Sequence, residues 1–214
     1  MAKILIATPT MGTVRSEYLD SLLRLDKRGH ECRFSSIANS LVYEARNFLV
    51  LDAIEMGMDY ILFIDSDTTF PADALTRLVA DAEETGAALV SGITFRRAFP
   101  IRPTFVSSLS WESPTEHSAE FYYDYPKDAL FPIDAAGMGV CLIRVSDIVE
   151  AGEHFKCSPF TPLPGLSEDY SFCWRMQQLY KKMYADSRVK TGHVGTIEFT
   201  EAMYLKQAAK NDKR

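Results

Sequence analysis

The stretch Asp59-Tyr60-Ile61-Leu62-Phe63-Ile64-Asp65-Ser66-Asp67-Thr68-Thr69-Phe70-Pro71 decides how the rest of the sequence is read. Its five consecutive apolar residues, β-branched and aromatic among them, make a strand buried on both faces, the kind found inside a parallel sheet. Asp65 and Asp67 stand at its carboxyl end. Open α/β sheets bind ligands in the crevice beyond the carboxyl ends of their strands, so two acids there, one residue apart, point to a seat for a hard divalent cation and a phosphate. Aspartates in such a turn also commonly cap backbone amides, and the pair alone does not choose between the two roles.

On the N-terminal side, Lys3 to Thr10 reads as a first buried strand, followed by a loop at Met11-Gly12-Thr13. Tyr18, Leu19, Leu22 and Leu23 recur at helical spacing, and Arg24, Lys27, Arg28 and Gly29 supply the cations and glycine that end a helix. His30 to Ile37 alternates as a second strand, and Ala45, Phe48, Leu49 and Ala53 mark a second helix ending near Gly57. On the C-terminal side, Pro71 suits the first turn of a third helix, carried by Leu75, Leu78, Val79 and Ala82 to Gly86. Ala87 to Phe95 is another buried strand. The alternation of strand and helix predicts an α/β fold with a Rossmann-like, mostly parallel central sheet flanked by helices.

Between roughly Arg96 and Pro132 the prolines, serines and aromatics show no helical period, which predicts a small antiparallel excursion of short strands and loops. Ile133 to Arg144 reads as one strand holding Gly137 and Gly139, positions where a side chain would obstruct an approaching group. A short helix follows over Val145 to Ala151. A loop with Pro159, Pro162, Pro164 and Gly165 leads to Ser167-Glu168-Asp169, which opens a helix running to about Lys182. Met183 to Val189 is a last strand, Gly192-His193-Val194-Gly195 a turn, and 196–214 a surface helix or tail. With 214 residues and no internal repeat or linker, a single domain spanning 1–214 is expected.

The composition, 47% hydrophobic and 24% charged, is that of an ordinary globular protein. A formal charge of −6 argues against a nucleic-acid-binding surface. No apolar run approaches a membrane span and no signal-peptide core follows Met1, so a cytoplasmic protein is expected. Cys32, Cys141, Cys157 and Cys173 are scattered without a Cys-x-x-Cys pair, so neither a zinc knuckle nor a disulfide framework is signalled.

Three segments taken in order, Phe63-Ile64-Asp65-Ser66-Asp67, then Ala136-Gly137-Met138-Gly139-Val140-Cys141-Leu142-Ile143-Arg144, then Ser167-Glu168-Asp169-Tyr170-Ser171-Phe172-Cys173-Trp174-Arg175, resemble the nucleotide-sugar glycosyltransferases of the A fold, in particular family 2. The resemblance covers nearly the whole chain. It implies a nucleotide-binding half over 1–95 and an acceptor-binding and catalytic half over 96–195. It further implies a nucleoside diphosphate sugar as donor, UDP-linked before GDP-linked, a glycan or glycosylated acceptor, and manganese or magnesium as cofactor. Asp67 would bind the metal directly, and Asp65 would contact the ribose or reach the metal through water. His193 occupies the place of a third metal ligand. Asp169 would be the base that takes the acceptor's proton in an inverting displacement, with Glu168 orienting acceptor or base. Thr8, Pro9 and Thr10 would hold the nucleotide, with Ser35, Ser36, Asn39, Ser66, Gly137 and Gly139 contributing, and Arg46 would pair with Asp65 or the diphosphate.

Plainer readings stand beside these roles. Serine with two acids after it is an ordinary helix start, in which Ser167 caps and Glu168 and Asp169 complement the helix dipole. Arg96, Arg97 and Arg102 suit a solvated loop as well as a diphosphate or an acidic acceptor. Trp111, Tyr122, Tyr123 and Trp174 suit a core as well as a sugar-stacking surface. Asp65-Ser66-Asp67-Thr68-Thr69 also fits the nucleophile motif of the haloacid dehalogenase-like phosphatases, with Asp65 attacking phosphorus. That chemistry needs a second acid pair at a later strand end, and none follows position 69. A non-catalytic sugar-nucleotide-binding module is the remaining alternative.

Overall fold

The computed structural model describes residues 1–196 and 201, so most of the expected C-terminal helix or tail lies outside the described residues. In chain order the elements are β1 (Lys3–Thr10), α1 (Ser16–Arg24), β2 (Glu31–Ala38), α2 (Val42–Glu55), β3 (Tyr60–Ile64), β4 (Thr68–Thr69), α3 (Ala74–Thr85) and β5 (Leu89–Ile93). They continue with β6 (Phe105–Ser113), β7 (Glu116–Phe121), β8 (Leu130–Pro132), β9 (Ala135–Ala136), β10 (Val140–Arg144), α4 (Val145–Phe155), α5 (Glu168–Gln178), β11 (Met183–Lys190) and β12 (Gly192–His193).

The central sheet has seven strands in the order β2-β1-β3-β10-β5-β11-β8. β1 runs parallel to β2 and β3, and β11 parallel to β5, while β10 is antiparallel to both β3 and β5 and β8 is antiparallel to β11. Every residue of β3 is buried. Its side chains alternate between two cores: Ile61 and Phe63 pack with Leu49 of α2, Ile148 of α4 and Phe172 of α5, and Tyr60, Leu62 and Ile64 pack with Tyr18 of α1 and Leu75 and Leu78 of α3. This period-two division of an all-apolar strand gives the sheet a layer of helices on each face. Gly86 ends α3 in the left-handed conformation (φ 68°), where glycine has no Cβ to strain.

Two departures from the sequence reading shape the site. The stretch from Ile133 to Arg144 is not one strand. β9 pairs with β6 in the small antiparallel sheet β7-β6-β9, the chain turns at residues 137–139, and β10 enters the middle of the main sheet. The glycines ease the crossover: a Cβ on Gly137 would lie 3.0 Å from Thr104 Oγ1, and one on Gly139 3.2 Å from Thr94 Cγ2, so a side chain at either position would crowd these threonines where the chain changes sheets. The second departure is at Gly192-His193, expected as a turn. It forms β12, which pairs antiparallel with β4 just beyond the two acids, with His193 opposite Thr68.

Candidate active site

β3 delivers Asp65 into a tight turn. Its amide donates to the carbonyl of Gly139 (3.0 Å), and its carbonyl accepts the amide of Thr68 (3.0 Å). The acid turn is thus fixed on one side by the glycine crossover and on the other by its own backbone. The N–H of Gly137 donates to the Thr104 carbonyl (2.9 Å), so the crossover is itself tied to the small sheet.

Arg46, on α2, joins the two acid clusters. Its Nη2 donates to Asp65 Oδ1 at 3.0 Å and its Nε lies 3.5 Å from Glu168 Oε1, while its side chain is only 3% exposed. Its guanidinium carbon sits 5.3 Å from the centroid of Phe63. Burial alone would lower the Arg46 pKa, but Asp65, Glu168 and Asp169 around it outweigh burial and raise it. Nε and Nη1 have no hydrogen-bond partner, which leaves donor capacity beside the cleft.

Asp169 lies at the first turn of α5. Its Oδ1 accepts hydrogen bonds from the Ser167 hydroxyl and from the Tyr170 amide (2.8 Å). The serine therefore bonds to the acid's side chain and makes no side-chain cap to the helix. The site of a Cβ on Gly137 is 3.5 Å from Asp169 Oδ2, so the second oxygen faces the glycine crossover. Burial, and next the charge of Glu168, push Asp169 up to about 6. A carboxylate with its pKa so raised is a better proton acceptor than an ordinary one and is still mostly ionised at neutral pH.

Asp67 faces different partners. Arg97 Nη1 pairs with its Oδ2, and His193 Nε2 lies 3.3 Å from its Oδ1. His193 Nδ1 is 2.9 Å from the carbonyl of Phe95, and the Val194 amide donates to the Asp67 carbonyl (2.7 Å). Burial works against the Asp67 charge, but the hydrogen bond with His193 and the charges of His193 and Arg97 win and lower its pKa. The hydrogen bond with Asp67 is also the main reason that His193 is raised, against its own burial.

These groups border two neighbouring clefts. One, of about 290 Å³, is lined by Arg46, Asp65, Gly137, Gly139, Glu168, Asp169 and His193, with Thr94, Thr104 and Arg97 among the remaining wall. The other, of about 220 Å³, is lined by Pro9, Thr10, Met11, Ser40, Asp65, Ser66 and Asp67. Asp65 borders both.

Residues 42–146, which carry the acid turn and the glycine crossover, match the model of a family described as glycosyl transferase family 2. The chain has the A fold of the glycosyltransferases. Among the solved structures that share the fold, three align at low identity. A197 from STIV aligns with a TM-score of 0.62 at 21% identity, over 92% of this chain and 87% of that one. GalNAc-T7, solved with UDP, GalNAc and Mn2+, aligns with a TM-score of 0.62 at 10% identity, over 92% of this chain and 44% of that one. S. aureus TarS 1-349, in complex with UDP-GlcNAc, aligns with a TM-score of 0.55 at 14% identity, over 94% of this chain and 60% of that one. The chain thus spans less than two thirds of the last two. No curated protein matches the sequence.

The family match ends before Glu168, Asp169 and His193, so their place in the site rests on the geometry above. Not every expected site residue reaches a cleft. Thr8 is fully buried with its hydroxyl 2.6 Å from that of Tyr18, and Ser36, opposite Thr8 in the register, is exposed on the edge strand β2. Asn39 adopts φ 58°, donates its amide to the Thr10 carbonyl (3.1 Å) and stands over Gly12, supporting the 10–13 loop. Asp65, Asp67 and His193 do not converge as a three-ligand set, because Asp65 is turned to Arg46, and no group of three or more metal-binding side chains occurs among the described residues. Asp67 and His193 do meet. Trp111 and Trp174 pack edge to face at 5.2 Å, and Trp111 Nε1 donates to the Pro164 carbonyl (3.0 Å), so these two rings brace the proline loop. The phosphatase alternative falls with the family match, and Glu168-Asp169 starts a helix where that chemistry needs a strand end.

Thr94, Thr104 and the pairing of Arg97 with Asp67 escape sequence reasoning. The threonines carry no motif. Arg97 differs from its neighbours Arg96 and Arg102 only through β12, whose pairing with β4 cannot be read from Gly192-His193 alone.

Proposed function

We propose that the chain transfers a sugar from a nucleoside diphosphate sugar, UDP-linked before GDP-linked, to a hydroxyl of a glycan or glycosylated acceptor, in one inverting displacement with Asp169 as base. The observation that carries this reading is the convergence of Asp65, Gly137, Gly139, Glu168 and Asp169 on one cleft of about 290 Å³. Residues 1–95 supply the nucleotide side and 96–195 the acceptor side. The cleft beside Pro9, Thr10 and Ser66 suits the base and ribose, and the bare backbone at Gly137 and Gly139 lets the donor sugar come close to Asp169. The UDP and UDP-GlcNAc in GalNAc-T7 and TarS favour the uridine nucleotide.

Manganese or magnesium fits the Asp67–His193 pair. The Phe95 carbonyl accepts a hydrogen bond from Nδ1–H of His193, leaving Nε2 directed at Asp67, the arrangement that prepares an imidazole for a metal. Asp65 would join through water. The ion supplies charge neutralisation to a departing diphosphate. Arg46 holds Asp65 and Glu168 on either side of its guanidinium, and Ser167 and the Tyr170 amide orient Asp169 so that its other oxygen receives the acceptor proton. No described helix is long and apolar enough to cross a membrane, and four unpaired cysteines accord with a cytoplasmic location.

UDP release from a panel of UDP-sugars in manganese and crude glycan acceptors tests the reading. Asp169→Asn is expected to lower turnover by ~100-fold or more. In the wild type the rate should fall as pH drops through about 6, because only the ionised base accepts the proton. Full activity in Asp169→Asn would exclude the base assignment and favour a binding module or another base.

A further inference from the structure

We propose that Arg97 is a tethered cation that occupies the divalent seat on Asp67 and has to leave it when a metal ion enters. The inference rests on the metal-dependent reading of this site. Both oxygens of Asp67 are engaged, Oδ2 by Arg97 and Oδ1 by His193. A hard cation binds through carboxylate oxygen, so it competes with the guanidinium for the same atoms.

The berth is built for the arginine. Its aliphatic stem crosses Gly195, where a Cβ would lie 2.8 Å from Arg97 Cδ, so any other residue would push the stem away. Nη1 also donates to the Val194 carbonyl (3.2 Å), and the Val194 amide is itself bonded to the Asp67 carbonyl. The Arg97 side chain nevertheless remains 49% exposed, and an ion pair this open is weakly held and exchanges readily. Arg46 is the contrast: at 3% exposure among three carboxylates it cannot exchange for an ion without stranding buried charge. Arg97 can swing out without moving its loop, because the loop ends are held by the Arg96 amide to Arg102 carbonyl bond (2.9 Å) and by the bridge between Phe95 and Pro103.

Manganese titration without nucleotide, followed by the electron paramagnetic resonance signal of the free ion, tests this on the full chain. Arg97→Met and Arg97→Gln should each tighten manganese binding by up to about fivefold, the equivalent of removing a competing pair of ~1 kcal/mol. Arg97→Lys, which keeps the charge, should stay near the wild type, and Asp67→Asn marks the level of non-specific binding. Manganese binding by the wild type that is unchanged or weakened in both neutral variants would overturn the role of Arg97 and leave the metal site standing. No binding above the Asp67→Asn level in the wild type or either neutral variant would overturn both.

Discussion

A buried arginine between three carboxylates sets the chemistry of the site. Arg46 is the one cation among the described residues that touches both Asp65, beyond the end of β3, and Glu168, at the start of α5. Replacing it with methionine keeps the volume but leaves Asp65, Glu168 and Asp169 facing one another without a counter-charge, which should cost about 3–5 kcal/mol of stability. Urea unfolding of Arg46→Met measures this. A loss under 1 kcal/mol would mean that the acids are better solvated than their burial indicates. Arg46→Lys should recover little, since a single ammonium cannot reproduce a planar fork directed at two acids. At this scale the sequence was partly legible. Asp65, Asp67 and Asp169 stand in motifs, and Asp65 was one of two partners that the resemblance implied for Arg46. The contact of Arg46 with Glu168 spans too much chain to be read without the fold.

The element that does most to assemble the site is the glycine crossover between β9 and β10. It ties the acid turn, through Gly139 to Asp65, to the small sheet, through Gly137 to Thr104. Gly137→Val would force a branched side chain against Thr104, whose Oγ1 already lies 3.0 Å from the Cβ position, and toward Asp169 Oδ2 at 3.5 Å. The expected outcome is a large loss of donor turnover with a smaller loss of stability, about 1–3 kcal/mol as for other overpacked sites, measured by UDP release beside urea unfolding. Turnover retained in Gly137→Val would remove the crossover from the active site. The helices α1, α2, α3 and α5 and the strands β1 to β3 were legible from apolar period and from the glycines that stop helices. The split of β9 from β10 was not, because two short apolar runs around glycine look like one strand until they are seen to pair with different sheets. β4 and β12 were hidden for a related reason: two-residue strands have no period.

Across the whole molecule, the sheet separates the active-site clefts from a second buried charge cluster. Asp81 of α3 and Asp186 of β11 share Arg188, whose Nη2 reaches Asp81 Oδ1 (2.7 Å) and whose Nε reaches Asp186 Oδ1 (2.8 Å). Burial, and then the adjacent Asp186, push Asp81 up to about 6 from an ordinary value of 3.8. The folded chain therefore holds a proton that the unfolded chain has already lost. Its stabilising effect is full below the lower value and declines as pH rises towards the upper one. Asp81→Asn removes this dependence, so its thermal midpoint should gain on the wild type between pH 4.5 and 7.5. A constant difference across that range would contradict the raised value. The α/β class, the mostly parallel sheet and the antiparallel excursion were legible at this scale because buried strands and amphipathic helices alternate over the first 95 residues. The antiparallel entry of β10 into the centre of the sheet was not, since nothing in a strand's own sequence states its direction.

Ligand-induced stabilisation by UDP, measured as a shift in thermal midpoint with and without manganese in the wild type and in Asp67→Asn, tests the metal-dependent donor site most directly. At a hundredfold excess over its dissociation constant, bound nucleotide adds about 2.7 kcal/mol, which is several degrees for a chain of this size. UDP is expected to raise the wild-type midpoint only when manganese is present, and to leave Asp67→Asn unmoved. The absence of any shift with UDP and manganese together, or an equal shift in chelator and in Asp67→Asn, would contradict the account.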